Sequence, residues 1–206
     1  VAPTVPLPTS LGGTSVRVRD SSGAELPAPL FFVSAGQINY LVPENARTGT
    51  ATVTVLTDGR TVAQGTLQID AFAPALFTAN ANGSGVPAAL AIRAAADGVQ
   101  TTPPVFDCSA GAGRCVPAAL DLGVPSAQVV LLLFGSGIRG TAGLPTARVT
   151  VTDADMEVLY AGPQGSFVGL DQVNVRLSRS LVGRGEVDVV VTVGGKTANT
   201  VRIRVQ

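Results

Sequence analysis

The chain has no histidine and no tryptophan, one lysine and two cysteines among 206 residues. Each scarcity removes a class of chemistry. Without histidine the commonest general base is gone, and with it any Ser-His or Cys-His pair. Zinc wants four ligands, and two cysteines with no histidine do not supply them. Without tryptophan, a flat platform for stacking sugars would have to come from two tyrosines and seven phenylalanines. A Lys–Asn isopeptide crosslink would have to use Lys196, which sits in a G-G-K turn that reads as solvated. Charge is scarce as well. Only 14% of residues are charged, where about 25% is typical. The 14 acidic and 14 basic residues cancel, so the composition offers no general field for nucleic acid or an anionic membrane. No apolar run reaches the ~18–20 residues of a membrane helix, and insertion is not expected. The first residues, V-A-P-T-V-P-L-P, lack the basic start and apolar centre of a signal peptide.

What is present favours strands and turns. Val, Ala, Gly, Thr and Pro dominate. S-V-R-V-R-D (15–20) alternates, and P-L-F-F-V (29–33), Q-I-N-Y-L-V (37–42), T-A-T-V-T-V-L-T (50–57) and T-V-A-Q-G-T-L-Q-I (61–69) follow as strands. T-D-G-R between the last two is a hairpin signature. From residue 147 a similar series runs again. A-R-V-T-V-T (147–152), M-E-V-L-Y-A (156–161), D-Q-V-N-V-R-L (171–177), E-V-D-V-V-V-T-V (186–193) and T-A-N-T-V-R-I-R-V (197–205) read as strands. Gln37-Ile38-Asn39 falls on Gln172-Val173-Asn174, and Gly49–Val53 falls on Gly185–Val189. The expected fold is all-β: two immunoglobulin-like sandwiches from an internal duplication, joined by a β-rich segment. The expected domains are 1–75, a connecting segment 76–122, and 123–206. The second copy opens with an extra strand, A-Q-V-V-L-L-L-F-G-S-G-I (127–138), where the first has only a Pro-rich arm.

The connecting segment holds two open points. P-A-A-L-A-I-R-A-A-A-D-G (87–98) is helical by propensity, yet it also fits a strand ending at a D-G turn, and an all-β chain favours the strand. Cys108 and Cys115, in F-D-C-S-A-G-A-G-R-C-V-P, have spacing suited to a bridge across a hairpin end. The alternative is two free thiols. A bridge points to an oxidising compartment, hence a secreted or cell-surface protein.

Candidate site residues are few. G-S-G at 83–85 and 135–137 lacks the G-x-S-x-G elbow and reads as turn. G-S-G-I-R-G-T-A-G (135–143) lacks the Lys-Ser/Thr of a phosphate loop. Two carboxylates can still make a glycosidase, and the nearest candidates are Asp153, Asp155 and Glu157 in T-D-A-D-M-E. They read as a solvated turn, with a weak calcium site at Asp153 and Asp155 as the functional alternative. No other metal and no cofactor is expected. Tyr40 and Tyr160 lie in strands and read as core. Gln164 and Phe167, in G-P-Q-G-S-F-V-G, form the best candidate binding loop. Gln37 with Asn39, and Gln172 with Asn174, each share one face of a strand. A buried amide must be hydrogen-bonded and would pin a neighbouring loop. The flanking loops differ between the two places, and loops usually build sites, so the amides read as scaffold and not as a ligand site.

P-L-P-T-S-L-G-G-T-S-V (6–16), A-P-L-F-F-V-S-A-G-Q-I-N-Y-L-V-P (28–43), A-P-A-L-F-T (73–78), L-L-F-G-S-G-I-R (132–139) and L-Y-A-G-P-Q-G-S-F-V-G-L-D-Q-V-N-V (159–175) together resemble the Solibacter-type C-terminal domain family of soil acidobacteria. Its members carry a strand resembling L-L-F-G-S-G before the P-L-P-T-S-L-G-G stretch, and this chain begins after that point. The resemblance implies a first sandwich without its opening strand. It also implies halves of the IPT/TIG type and a place at the C-terminal end of large exported proteins. The family has no established activity, so it transfers no catalytic residue. The expected function is a non-catalytic interaction or adhesion module contacting proteins or envelope material. A spacer or cap without ligand, and a carbohydrate-binding module, are the alternatives.

Overall fold

The computed structural model describes residues 1–139 and 146–206, so the tail of G-S-G-I-R-G-T-A-G, residues 140–143, lies outside the described residues. The protein is all-β and of sandwich type. It divides into two compact units, Val1–Ala71 and Phe72–Gln206.

In the first unit, β1 (Ser10–Leu11), β2 (Thr14–Arg19), β6 (Gly49–Thr57) and β7 (Arg60–Ile69) pair in that order, with β3 (Glu25–Pro27) against β2. β4 (Leu30–Val33) and β5 (Ile38–Tyr40) form a separate two-stranded sheet. The alternation of β2 does what a period of two requires: Val16 and Val18 are buried while Arg17 and Arg19 are exposed. Its core gathers Val16, Val18, Ala28, Leu30, Ala46, Ala51 and Ile69. Asp58 (φ 48°) and Gly59 (φ 78°) make the β6–β7 turn. Positive φ at both central residues matches the right-handed twist of the strands they join.

The second unit contains short strands β8 (Ala75–Leu76), β10 (Gln100–Thr101), β11 (Phe106–Asp107), β12 (Val116–Pro117), β13 (Ala119–Leu120) and β19 (Lys196–Thr197). Its long strands are β9 (Ala89–Ala94), β14 (Gln128–Ser136), β15 (Ala147–Val151), β16 (Ala154–Pro163), β17 (Asp171–Arg176), β18 (Gly185–Val193) and β20 (Val201–Val205). The order is β10-β9-β14-β17-β16-β15-β18-β20-β13. β16 belongs to both layers: Ala154–Met156 pair with β15, and Glu157–Pro163 pair with β17. Val187, Val189, Val191 and Val193 of β18 and Val201, Ile203 and Val205 of β20 all point into the core.

Two expectations meet the structure here. The stretch 87–98 is a strand: β9, then a turn at Asp97-Gly98, then β10. Cys108 and Cys115 are bonded, with their Cα atoms 4.1 Å apart, beyond the short hairpin β11–β12. A third needs correcting. Residues 76–122 are not a connector between two bodies. β8 and β9 pair with β14, and β13 lies parallel to β20. The long strands β14 and β20 would otherwise present bare edges, and these segments satisfy them. The boundary between the units accordingly falls at Ala71.

The G-S-G of 135–137 is also more than a turn. Gly135 and Ser136 end β14 and pair with Leu76 and Ala75. A Cβ on Gly135 would run into the carbonyl oxygen of Ala75, and one on Gly137 into that of Ala73. Glycine is required because another backbone crosses at contact distance.

Candidate functional site

The most distinctive surface is the outer face of β9-β14-β17-β16. The inner face is ordinary core: Ala91, Leu131, Leu133, Val173 and Val175 are all fully buried. The residues between them face outward. By register, Leu90, Leu132, Asn174 and Tyr160 form one row across the four strands. Phe134 and Gln172 stand in the next row, and Val130, Arg176 and Glu157 on the other side. Leu90 is 48% exposed and Tyr160 38%. Val130, Leu132 and Phe134 are half-buried. β14 is therefore apolar on both faces, although only one face is in the core. A register shift between Val158 and Tyr160 leaves Leu159 as an extra outward residue. Such a bulge re-aims side chains on the strand that carries it. The Tyr160 hydroxyl donates to the carbonyl of Pro163, and a Cβ on Gly162 would lie 3.0 Å from that hydroxyl. The phenol is thus folded over Gly162. The expectation that Tyr160 is core does not hold, because the bulge turns it out. Tyr40 is half-buried against the first unit's core, and burial pushes its phenol pKa up.

The amide pairs are not in a core either. Gln172 Nε2 donates to Asn174 Oδ1 at 2.6 Å, and Gln37 Nε2 donates to Asn39 Oδ1 at 2.6 Å. Each pair bonds to itself along its strand, on the face opposite Val173 and Val175 or opposite Ile38 and Tyr40. The period of two explains the correction: the β-branched or aromatic residues take the inside, so the amides must take the outside. Gln172 and Asn174 are half-buried among outward neighbours; Gln37 and Asn39 are exposed.

The pinning expected of those amides is done by others. Asn199 Oδ1 accepts from Leu76 N at 2.7 Å, and its Nδ2 donates to Leu76 O at 3.1 Å and Gly83 O at 2.9 Å. Asn80 brackets the disulfide, accepting from Cys115 N at 2.6 Å and donating to Cys115 O at 2.9 Å. Asp171 is 1% exposed and accepts from Ile138 N at 2.8 Å, from Arg139 N at 3.2 Å and from Arg139 Nε. Local sequence gives little sign of these roles, since each joins segments far apart in the chain.

The carboxylates of T-D-A-D-M-E are taken by arginines. Arg148 grips Asp155 with Nε and Nη2 at 2.6 and 3.1 Å, which holds the Asp155 carboxyl below its usual range. Arg176 Nη1 lies 2.7 Å from Glu157 Oε2. Asp153 sits in the β15–β16 turn with φ 65°. Among the described residues, no three His, Cys, Asp or Glu side chains come together as a metal cluster. Gln164 organises its loop: Oε1 accepts from Ser166 N at 2.9 Å and Phe167 N at 3.2 Å. Phe167 is 68% exposed at that tip. Lys196 is exposed at the β18–β19 turn. Among the described residues no helix is long and apolar enough to cross a membrane.

No protein-family model matches the chain, and no curated protein or solved structure matches it.

Proposed function

We propose that the chain is a non-catalytic interaction module of an exported or cell-surface protein, and that it docks another protein on the outer face of β9-β14-β17-β16. The second apolar face of β14 carries this reading. Val130, Leu132 and Phe134, half-buried on the outward face, and the exposed Leu90 beside them form an apolar strip outside the core. Contiguous exposed apolar surface rimmed by polar groups is the physical mark of a docking face. The amides beside it suit a polypeptide. Gln172 and Asn174 spend one donor and one acceptor on each other, leaving Gln172 Oε1 and Asn174 Nδ2 for the acceptor-and-donor chemistry of a peptide backbone. The Cys108–Cys115 bond supports the compartment. The motifs that resemble Solibacter-type C-terminal domains support an exported parent protein.

The test mixes oxidised protein with washed envelopes and a secreted-protein extract, and measures retention against concentration. Saturable binding is expected, weakened at least ~10-fold, about 1.4 kcal/mol, by Leu90→Lys together with Tyr160→Ala. Both side chains are outward, so the variant should keep its urea midpoint. Equal retention of the variant, or retention on neither material, would put the spacer or cap reading first.

The phenol folded over Gly162 beside two amides, with Phe167 exposed nearby in sequence, supports a second reading, carbohydrate binding. Insoluble polysaccharides in the same assay separate the two.

A further inference from the structure

The first unit presents an open strand edge. Ser34 N donates to Gln37 O at 2.9 Å and Leu41 N donates to Pro29 O at 2.8 Å, on the side of β5 that faces β4. Backbone groups alternate in direction along a strand, so the N–H and C=O of Ile38 and Tyr40 point the other way. Among the described residues no strand pairs with that side of β5. An edge of this kind is a template for a further strand.

The second unit shows what fits such an edge. Its β17 corresponds to β5: both carry the Gln-x-Asn pair, and both lie antiparallel to the strand before them. β17 has β14 on its other side, where Leu131 and Leu133 pair with Val175 and Val173 and close the core. Val173, Val175, Val189 and Val191 are then 0% exposed. The residues in the same places of the first unit, Ile38, Tyr40, Val53 and Val55, are only partly buried. The bare edge and the thinner core both lie where the second unit has β14.

We infer that the free edge of β5 is a strand-acceptor site. Its occupant is an extended peptide with the chemistry of β14, with aliphatic side chains at alternate positions and no proline. The peptide runs antiparallel to β5, its main chain bonding Ile38 and Tyr40 and its inward side chains covering Val53 and Val55. Main-chain bonds supply affinity in strand addition, and alternate pockets supply selectivity. This site goes beyond the docking face proposed above and is independent of it.

The experiment uses the whole chain and a synthetic peptide of residues 127–136, A-Q-V-V-L-L-L-F-G-S, with lysines at both ends for solubility. Hydrogen exchange of residues 37–42 is followed by mass spectrometry as the peptide is titrated. Exchange there should slow saturably, by at least ~10-fold at high peptide. A control peptide carrying Leu131→Asp and Leu133→Asp should leave it unchanged. The substitutions are in the peptide, so the folding of the protein is not in question. No slowing at 37–42, equal slowing with the control, or slowing confined to the second unit would each overturn the inference. Retention on envelopes in the earlier assay has no bearing on this result.

Discussion

At the scale of single residues, amides with similar chemistry do different work because they meet different neighbours. Among the described residues the Asn174 side chain bonds only that of Gln172, two positions away, and it is half-buried. Asn199 satisfies the backbone of Leu76 and the carbonyl of Gly83, both distant in sequence. Removing a partner from a buried backbone group costs about 1–3 kcal/mol, against ~1 kcal/mol or less for an ordinary bond near water. Asn199→Ala should therefore lower unfolding stability by about 1–3 kcal/mol and Asn174→Ala by less than about 1 kcal/mol. Urea midpoints in the reverse order would show that the strand-face amide carries the structural load. The Gln-x-Asn pattern was legible as one-faced from its spacing. Its face was not, because a polar pair between aliphatics fits either side until the neighbouring strands are known.

At the scale of elements, β14 and the cysteine hairpin are the instructive cases. Val129–Phe134 reads as a strand with no polar face, the pattern of a strand covered on both sides. The structure places one side in the core and leaves Val130, Leu132 and Phe134 half-buried on the other, the face proposed above for docking. The hairpin is legible as a pair of cysteines at a suitable distance along the chain. Its attachment is not, since Asn80 reaches Cys115 from a separate loop. Replacing both cysteines with serine should cost roughly 2–3 kcal/mol, the loop-closure entropy returned to the unfolded chain. The same loss should follow reduction of the wild-type protein. An unchanged thermal midpoint in both cases would mean that Asn80 and the β11–β12 pairing hold the loop without the bond.

At the scale of the whole molecule, acid tests the carboxylates together. Asp20 is buried and accepts from Arg47 N at 2.9 Å, and from Ser22 Oγ and N at 2.6 and 2.8 Å. The Arg47 bond and then the Ser22 hydroxyl hold its pKa at about 2, against an ordinary 3.8. Backbone N–H groups depress Asp107 and Asp121, and Arg148 depresses Asp155. A carboxylate whose pKa is lower folded than unfolded stabilises the fold above its unfolded value. That contribution is lost as pH falls through the folded value. The urea midpoint should be steady above about pH 5 and fall between about pH 4 and about pH 2. Asp20→Asn should shrink that fall, with its own loss visible at neutral pH. A midpoint independent of pH across that window would contradict the bonding drawn around Asp20.

The sequence by itself determined the strands, the hairpin turns and the all-β class. Those depend on alternation and on residues such as Asp58-Gly59 that suit one backbone geometry, and both are local properties. It also determined that Cys108 and Cys115 are close enough along the chain to bond. Only the tertiary structure decided that residues 76–122 belong to the second unit, that Tyr160 faces water, and that Asn199 and Asp171 hold distant segments. It alone decided where edges and faces are left uncovered. The reason is physical. A strand's own residues fix its two faces, but whether a face or an edge is satisfied depends on strands that arrive from elsewhere in the chain.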